Sequence, residues 1–291
     1  MARVVALGGG HGLAATLAAV RRYADDVCAI VSVADDGGSS GRLRAAFGIP
    51  PPGDLRKCLV ALADPESLWT SAFEHRFDAG ELEGHAFGNL VLAGLAASTG
   101  DFEQALAEAG RLLGAVGRVV PATIEPVILK AVIRNAGGDG GDSITGQVAV
   151  GASVGIAGVS LVPDDARAPE AALAALAAAD QVVIGPGSLF TSVLAVVAVP
   201  DLRDALAATP GRKVYVCNLR PQLPETAGYD VAAHVDALRA HGLDIDVVLC
   251  HPESLPVGLL DVECRVRPVA RPDGMGHDPA LLAAALRDLL Y

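Results

Sequence analysis

Two carboxylates, three glycines, two hydroxyls and an arginine fall within Asp35-Asp36-Gly37-Gly38-Ser39-Ser40-Gly41-Arg42. This composition suits phosphate. Glycine lets a ligand approach the backbone closely, because it has no Cβ. Successive N–H groups in a tight turn form a concavity for anions. Arg42 can add charge-assisted hydrogen bonds to a phosphoryl group. Asp35 and Asp36 could hold a ribose hydroxyl, a Mg²⁺ ion or a catalytic proton, so both are candidates for catalysis and for metal binding. A purely structural turn rarely needs all of these together.

A second set opens the chain. Gly8-Gly9-Gly10-His11-Gly12 follows the apolar Val4–Leu7 and precedes an Ala/Leu-rich helix through Tyr23. Gly10, Gly12 and Ala15 fit the spacing of the dinucleotide fingerprint, with Asp35 a little beyond its usual acidic position. The physical device is a helix N-terminus that offers unpaired N–H groups to phosphate. A third set, Gly185-Pro186-Gly187-Ser188, ends another apolar run, with Ser188 and Thr191 as candidate hydroxyl contacts. Asn218 follows Val214–Cys217 and is expected at the same edge.

Further residues surround these loops. Asp54 is expected to cap the helix that starts after Pro50-Pro51-Pro52-Gly53. Arg56 and Lys57 lie in the first turn of that helix, where positive charge opposes the helix dipole. They are either ligand contacts for an anion or ordinary solvated charges. Gly84-His85-Ala86-Phe87-Gly88-Asn89 opens another helix. His85 is either a proton-linked contact or a structural hydrogen-bonding group, and Asn89 could read a base or sugar edge.

Positioning these loops requires parallel strands that end at one edge. Short Val/Ile/Leu runs at Val4–Leu7, Val27–Val33, Gln181–Ile184, Lys213–Cys217, Asp246–Leu249 and Cys264–Val269 alternate with helical patterns. The expectation is an α/β fold, a Rossmann-like, mainly parallel sheet with helices on both faces. Residues 1–291 are read as one domain. Within it, residues 50–115 form a helical insert beside the nucleotide loops. Arg118 to Val162 reads as strands broken by the Gly137-Gly138-Asp139-Gly140-Gly141 turn. Asp278 and Pro279 mark the start of the last helix.

Composition bounds the function. Hydrophobic residues make up 52% of the 291 positions, enough for a large core, while aromatics are only 4%. The net charge of −12 argues against nonspecific nucleic-acid binding. The most apolar window, Val182 to Val199, is interrupted by Gly185–Ser188 and does not suit a membrane span. No cationic, apolar leader pattern precedes the first strand. The five cysteines form no C-x-x-C pair and read as buried, reduced hydrophobes, which suits a cytoplasmic protein.

In order, the segments GGGHG, ADDGGSSGRL, PPGDLRKCLVAL, GHAFGNL, GPGSLFTS and VCNLRPQLPETAGY resemble the YvcK family, also called gluconeogenesis-factor or CofD-like proteins. The resemblance covers nearly the whole chain. It implies a CofD-like fold that binds nucleotide sugars, notably UDP-N-acetylglucosamine. It also implies a cytoplasmic regulatory role linking carbon metabolism with cell-wall synthesis and cell shape, and a homodimer. No settled reaction comes with it. The implied pocket is lined by Gly8 to Gly12, Asp35 to Arg42, Asp54, Asn89, Gly185 to Ser188 and Asn218. A more distant relative, 2-phospho-L-lactate transferase, gives the alternative of Mg²⁺-dependent transfer of a phosphorylated group. An NAD-dependent oxidoreductase would account only for the first loop. Three positions depart from the family pattern: His11 stands where Thr is usual, Leu223 interrupts Q-P-G-E-T, and Gly276 replaces a basic residue before His277. The loops at 219–229 and 270–277 are the candidates for closing over a ligand.

Overall fold

The computed structural model describes residues 1–134 and 141–290. β1 (Arg3–Gly8) leads through α1 (Gly10–Val20) to β2 (Asp26–Val31). Five helices follow: α2 (Gly38–Phe47), α3 (Pro52–Leu62), α4 (Leu68–Glu74), α5 (Phe87–Thr99) and α6 (Phe102–Leu113). Then come β3 (Arg118–Pro121), β4 (Ile128–Ile133), β5 (Asp142–Thr145), the short α7 (Gln147–Gly151) and β6 (Ile156–Val162). α8 (Glu170–Ala178) precedes β7 (Gln181–Ile184), whose loop enters a π-helical turn, Leu189–Val193, continued by α9 (Leu194–Val197). The chain ends through α10 (Pro200–Ala208), β8 (Arg212–Val216), α11 (Val231–Ala240), β9 (Val247–Cys250), β10 (Glu263–Val266) and α12 (Pro279–Arg287).

The main sheet has seven strands in the order β10-β9-β8-β7-β1-β2-β3. Every neighbouring pair in it is parallel. β7 and β9 are buried at every position, as strands covered on both faces must be. α1 packs with α3 and α12, while α8 packs with α10. The second sheet, β5-β4-β6, is antiparallel. Among the described residues, no helix is long and apolar enough to cross a membrane.

The apolar runs locate the main strands, with shifts at their ends. The run at Val27–Val33 pairs only from Asp26 to Val31, and the Ser32 N–H bond to Gly8 carbonyl closes the β1–β2 ladder. The last run stops at Val266 rather than Val269, because Pro268 has no N–H for a ladder. α1 ends at Val20 rather than Tyr23; Arg22 and Tyr23 switch to tighter bonds onto Ala19 and Val20. The segment read as strands after Arg118 divides. β3 joins the main sheet, and α7 interrupts the rest. Of the glycine-rich turn expected there, residues 137–140 lie outside the described residues. Asp54 does not cap α3: the helix begins at Pro52, so Asp54 is already inside it. Asp278 does cap α12, accepting from Ala280 and Leu281 N–H.

Candidate functional site

The chain winds from β1 outward to β2 and β3, then returns to place β7 on the other side of β1. Strand order therefore reverses between β1 and β7. Open α/β sheets bind ligands at that point, outside the carboxyl ends of the strands. The glycine loops that follow β1, β2 and β7 leave from this edge.

The first and third loops interlock. Thr16 Oγ1 donates to Gly185 carbonyl at 2.7 Å. A Cβ on Gly12 would lie 2.1 Å from Pro186 carbonyl oxygen, so only glycine fits there. Asn218 clasps Gly187, accepting its N–H and donating to its carbonyl, both at 2.9 Å. Its amide therefore supports the loop. A cleft of about 310 Å³ opens beside this knot, lined by His11, Gly187, Asn218, Arg220, Gln222 and His277, among others. The N-terminus of α1 faces it with no side-chain cap at Gly9.

Asp54 braces the first loop from α3. Its Oδ2 accepts Gly10 N–H at 2.7 Å and its Oδ1 meets Lys57 Nζ at 3.0 Å. Lys57 in turn holds the His11 ring below its ordinary pKa, with burial adding to the effect. The Lys57 ammonium is thus engaged by Asp54 but remains at the mouth of the loop.

The two aspartates of the second loop separate into different roles. Asp35 Oδ1 accepts Gly37 N–H at 3.0 Å. Burial holds its carboxyl above the usual range, with the Gly37 bond opposing. Asp36 turns the other way. Its two oxygens accept Gln147 and Val148 N–H, each at 3.0 Å, and so cap α7 from 111 and 112 residues away in sequence. Asp36→Ala is expected to cost about 1 kcal/mol of stability, as lost caps do, and to leave ligand affinity unchanged. Urea unfolding together with titration calorimetry checks both parts.

Gly37 caps α2 without a side-chain bond, which leaves the first N–H groups of that helix for a ligand. Ser40 Oγ accepts Gly53 N–H at 3.1 Å, and a Cβ on Gly53 would meet that oxygen at 2.3 Å. Ser39 Oγ joins a relay that includes Asn89 Nδ2 at 3.1 Å and His85 Nδ1 at 3.0 Å. Arg42 Nε donates to His85 Nε2 at 3.1 Å, and its Nη2 donates to Glu83 carbonyl. Since guanidinium only donates, His85 Nε2 must accept and Nδ1 carries the proton toward Ser39. Burial and Arg42 lower the His85 pKa, consistent with that neutral form. Arg56 is buried, donating to Asn89 Oδ1 and Phe73 carbonyl at 3.1 Å each. No carboxylate pairs with it among the described residues. Burial lowers its pKa, and the charges of Glu74 and Asp54 oppose that from beyond ion-pair distance.

The structure thus gathers Gly8 to Gly12, Asp35, Gly37 to Arg42, Asp54, Lys57, Asn89, Gly185 to Ser188 and Asn218 along one edge. Asp36 leaves that group for α7. Three residues without an assigned site role also belong here: Thr16, Glu225 and His277. The first is a buried hydroxyl on the apolar face of α1, a signal available in sequence. Glu225 is 3% exposed, and its carboxylate bonds Ser188, Phe190 and Thr191. Among the described residues, no group of three or more His, Cys, Asp or Glu is placed to hold a metal ion.

A family model described as 2-phospho-L-lactate transferase CofD matches residues 4–273. A relative from Mycobacterium tuberculosis is 44% identical over 305 residues, covering 97% of this chain and 89% of that protein. The gluconeogenesis factor of Bacillus subtilis is 40% identical over 258 residues, covering 87% of this chain and 80% of its own length. A relative from Nostoc sp. is 43% identical, and this chain spans only 55% of its length. A crystal structure of a UPF0052 family member from Bacillus halodurans aligns with a TM-score of 0.92 and 36% identity, covering 98% of both chains.

Proposed function

The chain belongs to the CofD family, and from that premise we propose that it binds a nucleotide sugar, UDP-N-acetylglucosamine, at the β1/β7 crevice. The proposal includes a regulatory role in the cytoplasm, as a homodimer, linking carbon metabolism with cell-wall synthesis and cell shape. One observation carries the binding reading. Two helix N-termini meet the strand-reversal edge: that of α2 has no side-chain cap, and that of α1 offers His11 and Gly12 N–H, its Gly10 N–H being taken by Asp54. Two such ends suit a diphosphate, whose charge both dipoles favour. Glycine at Gly9, Gly12 and Gly37 lets the loops that frame these N-termini pack closely, since a Cβ there would meet Asp54, Pro186 or Val148.

The family model also favours a second reading, Mg²⁺-dependent phosphoryl or phosphodiester transfer. Asp35 fits such an ion as its only carboxylate, since Mg²⁺ keeps several waters and takes phosphate oxygens as further ligands. Asp36 is turned away from it, its oxygens accepting Gln147 and Val148 N–H at α7. When bound, Mg²⁺ would neutralise charge on phosphoryl oxygens. The residues here would then orient the ligand through the helix N-termini.

Titration calorimetry with UDP-N-acetylglucosamine, UDP-glucose, GDP and NAD, with and without Mg²⁺, tests both readings. The expected result is binding of a UDP-sugar that is recovered intact. Mg²⁺-dependent breakdown of any ligand would instead favour the transferase.

Asp35→Asn sharpens the test. A carboxyl whose pKa is raised on folding adds stability only below its unfolded pKa, and loses it as pH rises through the folded value. At pH 7, well above the unfolded value, the buried Asp35 carboxyl therefore works against folding. The variant is expected to raise the urea midpoint at pH 7 and to weaken UDP-N-acetylglucosamine binding about tenfold. Unchanged affinity would remove Asp35 from the site.

A further inference from the structure

The third glycine turn already holds an anion, and it comes from the chain itself. Glu225 Oε1 accepts Phe190 N–H at 2.6 Å and Thr191 N–H at 3.2 Å. Its Oε2 accepts from the Ser188 hydroxyl and lies 3.5 Å from Thr191 Oγ1. Backbone N–H groups, two hydroxyls and the positive end of a helical segment are what such a turn offers a phosphate. A ligand phosphate cannot share those donors with a carboxylate.

Burying this carboxylate is unfavourable by itself, and burial pushes its pKa up. The four donors offset that cost only when they are all aligned. The alignment fixes the neighbouring chain. Thr226, next to Glu225, is fully buried and its Oγ1 accepts Gln222 N–H at 2.9 Å. Gln222 and Arg220 line the cleft. Arg220 reaches across it to Gly274 carbonyl and to Met275 Sδ at 3.1 Å. The carboxylate thus anchors the 219–229 loop at the third glycine turn, and Arg220 of that loop in turn holds the 270–277 loop.

We infer that Glu225 is an internal anion that fills the third glycine turn and acts as the positioning residue for the 219–229 wall of the cleft, leaving ligand phosphate to the N-termini of α1 and α2. The positioning part stands on the contacts above. The consequence for ligand phosphate rests on the nucleotide-sugar reading.

Hydrogen exchange on the full chain tests the positioning part without ligand. Glu225→Ala is expected to speed exchange of amides in 189–191 and 219–229 by about tenfold, with β1 and β7 unchanged. Sodium formate, a carboxylate small enough for the vacated space, is expected to restore protection, and neutral formamide is not. Glu225→Gln preserves size and keeps the test open if the alanine variant does not fold. It too is expected to show faster local exchange, because its amide nitrogen cannot accept from Ser188. Affinity for UDP-N-acetylglucosamine is expected to fall about tenfold in both variants. Unchanged exchange at 219–229 in both variants would overturn the inference, as would a uniform increase that formate does not reverse. If exchange responds as expected while the wild-type chain binds no UDP-sugar, the positioning role stands and the nucleotide-sugar reading falls.

Discussion

Gly12→Ala is expected to destabilise the protein by about 3 kcal/mol, at the upper end of what overpacking costs, and to abolish ligand binding. The added Cβ would sit 2.1 Å from Pro186 oxygen, 2.6 Å from Pro186 carbonyl carbon and 2.9 Å from Gly187 Cα. All three are backbone atoms, so no side chain can rotate away. The backbone they belong to is itself fixed, by Thr16 on Gly185 and by Asn218 on both polar groups of Gly187. Relief would require the first and third loops to part, and their contact forms the floor of the cleft. Gly94→Ala is the control. Gly94 lies within α5, exposed and with nothing within 4 Å of its added Cβ. Alanine there is expected to stabilise by about 0.5–1 kcal/mol, since glycine inside a helix costs that much in chain entropy. Urea unfolding of the two variants separates steric conflict from a general effect of removing glycine. Equal midpoints would mean that the loops are not interlocked.

Much of this arrangement is legible in the sequence. A strand buried on both faces leaves a nearly continuous apolar run, and Gln181–Ile184 is such a run with the bounds observed. The strand, glycine turn and helix at the start of the chain are local features, so their order alone places the N-terminus of α1 at the sheet edge. What composition cannot convey is which partner a polar side chain takes. Asp36 looks equivalent to Asp35, yet its partners are Gln147 and Val148, more than a hundred residues on. Asn218 is located correctly by the end of its strand, but its amide holds Gly187, 31 residues away, instead of standing free for a ligand. Ser188 and Thr191 are hydroxyls in the right turn, and their acceptor is Glu225. In each case local spacing predicts the position and tertiary hydrogen bonding decides the role. The energetic reason is general: a polar group brought near the core must find a partner, and the nearest one in space is seldom the nearest in sequence.

Acid is expected to remove on the order of 3 kcal/mol of stability between pH 6.5 and pH 4 through His277. This ring is 6% exposed, and its Nε2 has no hydrogen-bond partner. Burial lowers its pKa to about 4, a backbone hydrogen bond at Cys217 opposing and His251 adding to the shift. The folded value lies below the unfolded one of 6.5. The unfolded chain therefore takes up a proton first, and stability present above pH 6.5 drains away as pH falls toward 4. His251 faces His277 from the loop after β9, where its Nδ1 accepts Val269 and Ala270 N–H. His234, fully buried with its own Nε2 unpartnered, shifts in the same direction, also mainly from burial. Losing one ring should thus reduce the acid slope without abolishing it. His277→Gln is expected to lower stability at pH 7, through lost packing, while flattening the fall in urea midpoint between pH 6.5 and 4.5. The slope is the diagnostic quantity, because a ring that only fills space would shift every midpoint by the same amount. His277 also lines the cleft beside Gly276 and Met275. A proton taken up here would loosen the 270–277 loop that Arg220 holds at Gly274, so ligand affinity is expected to fall over the same pH range in the wild-type chain and less steeply in His277→Gln.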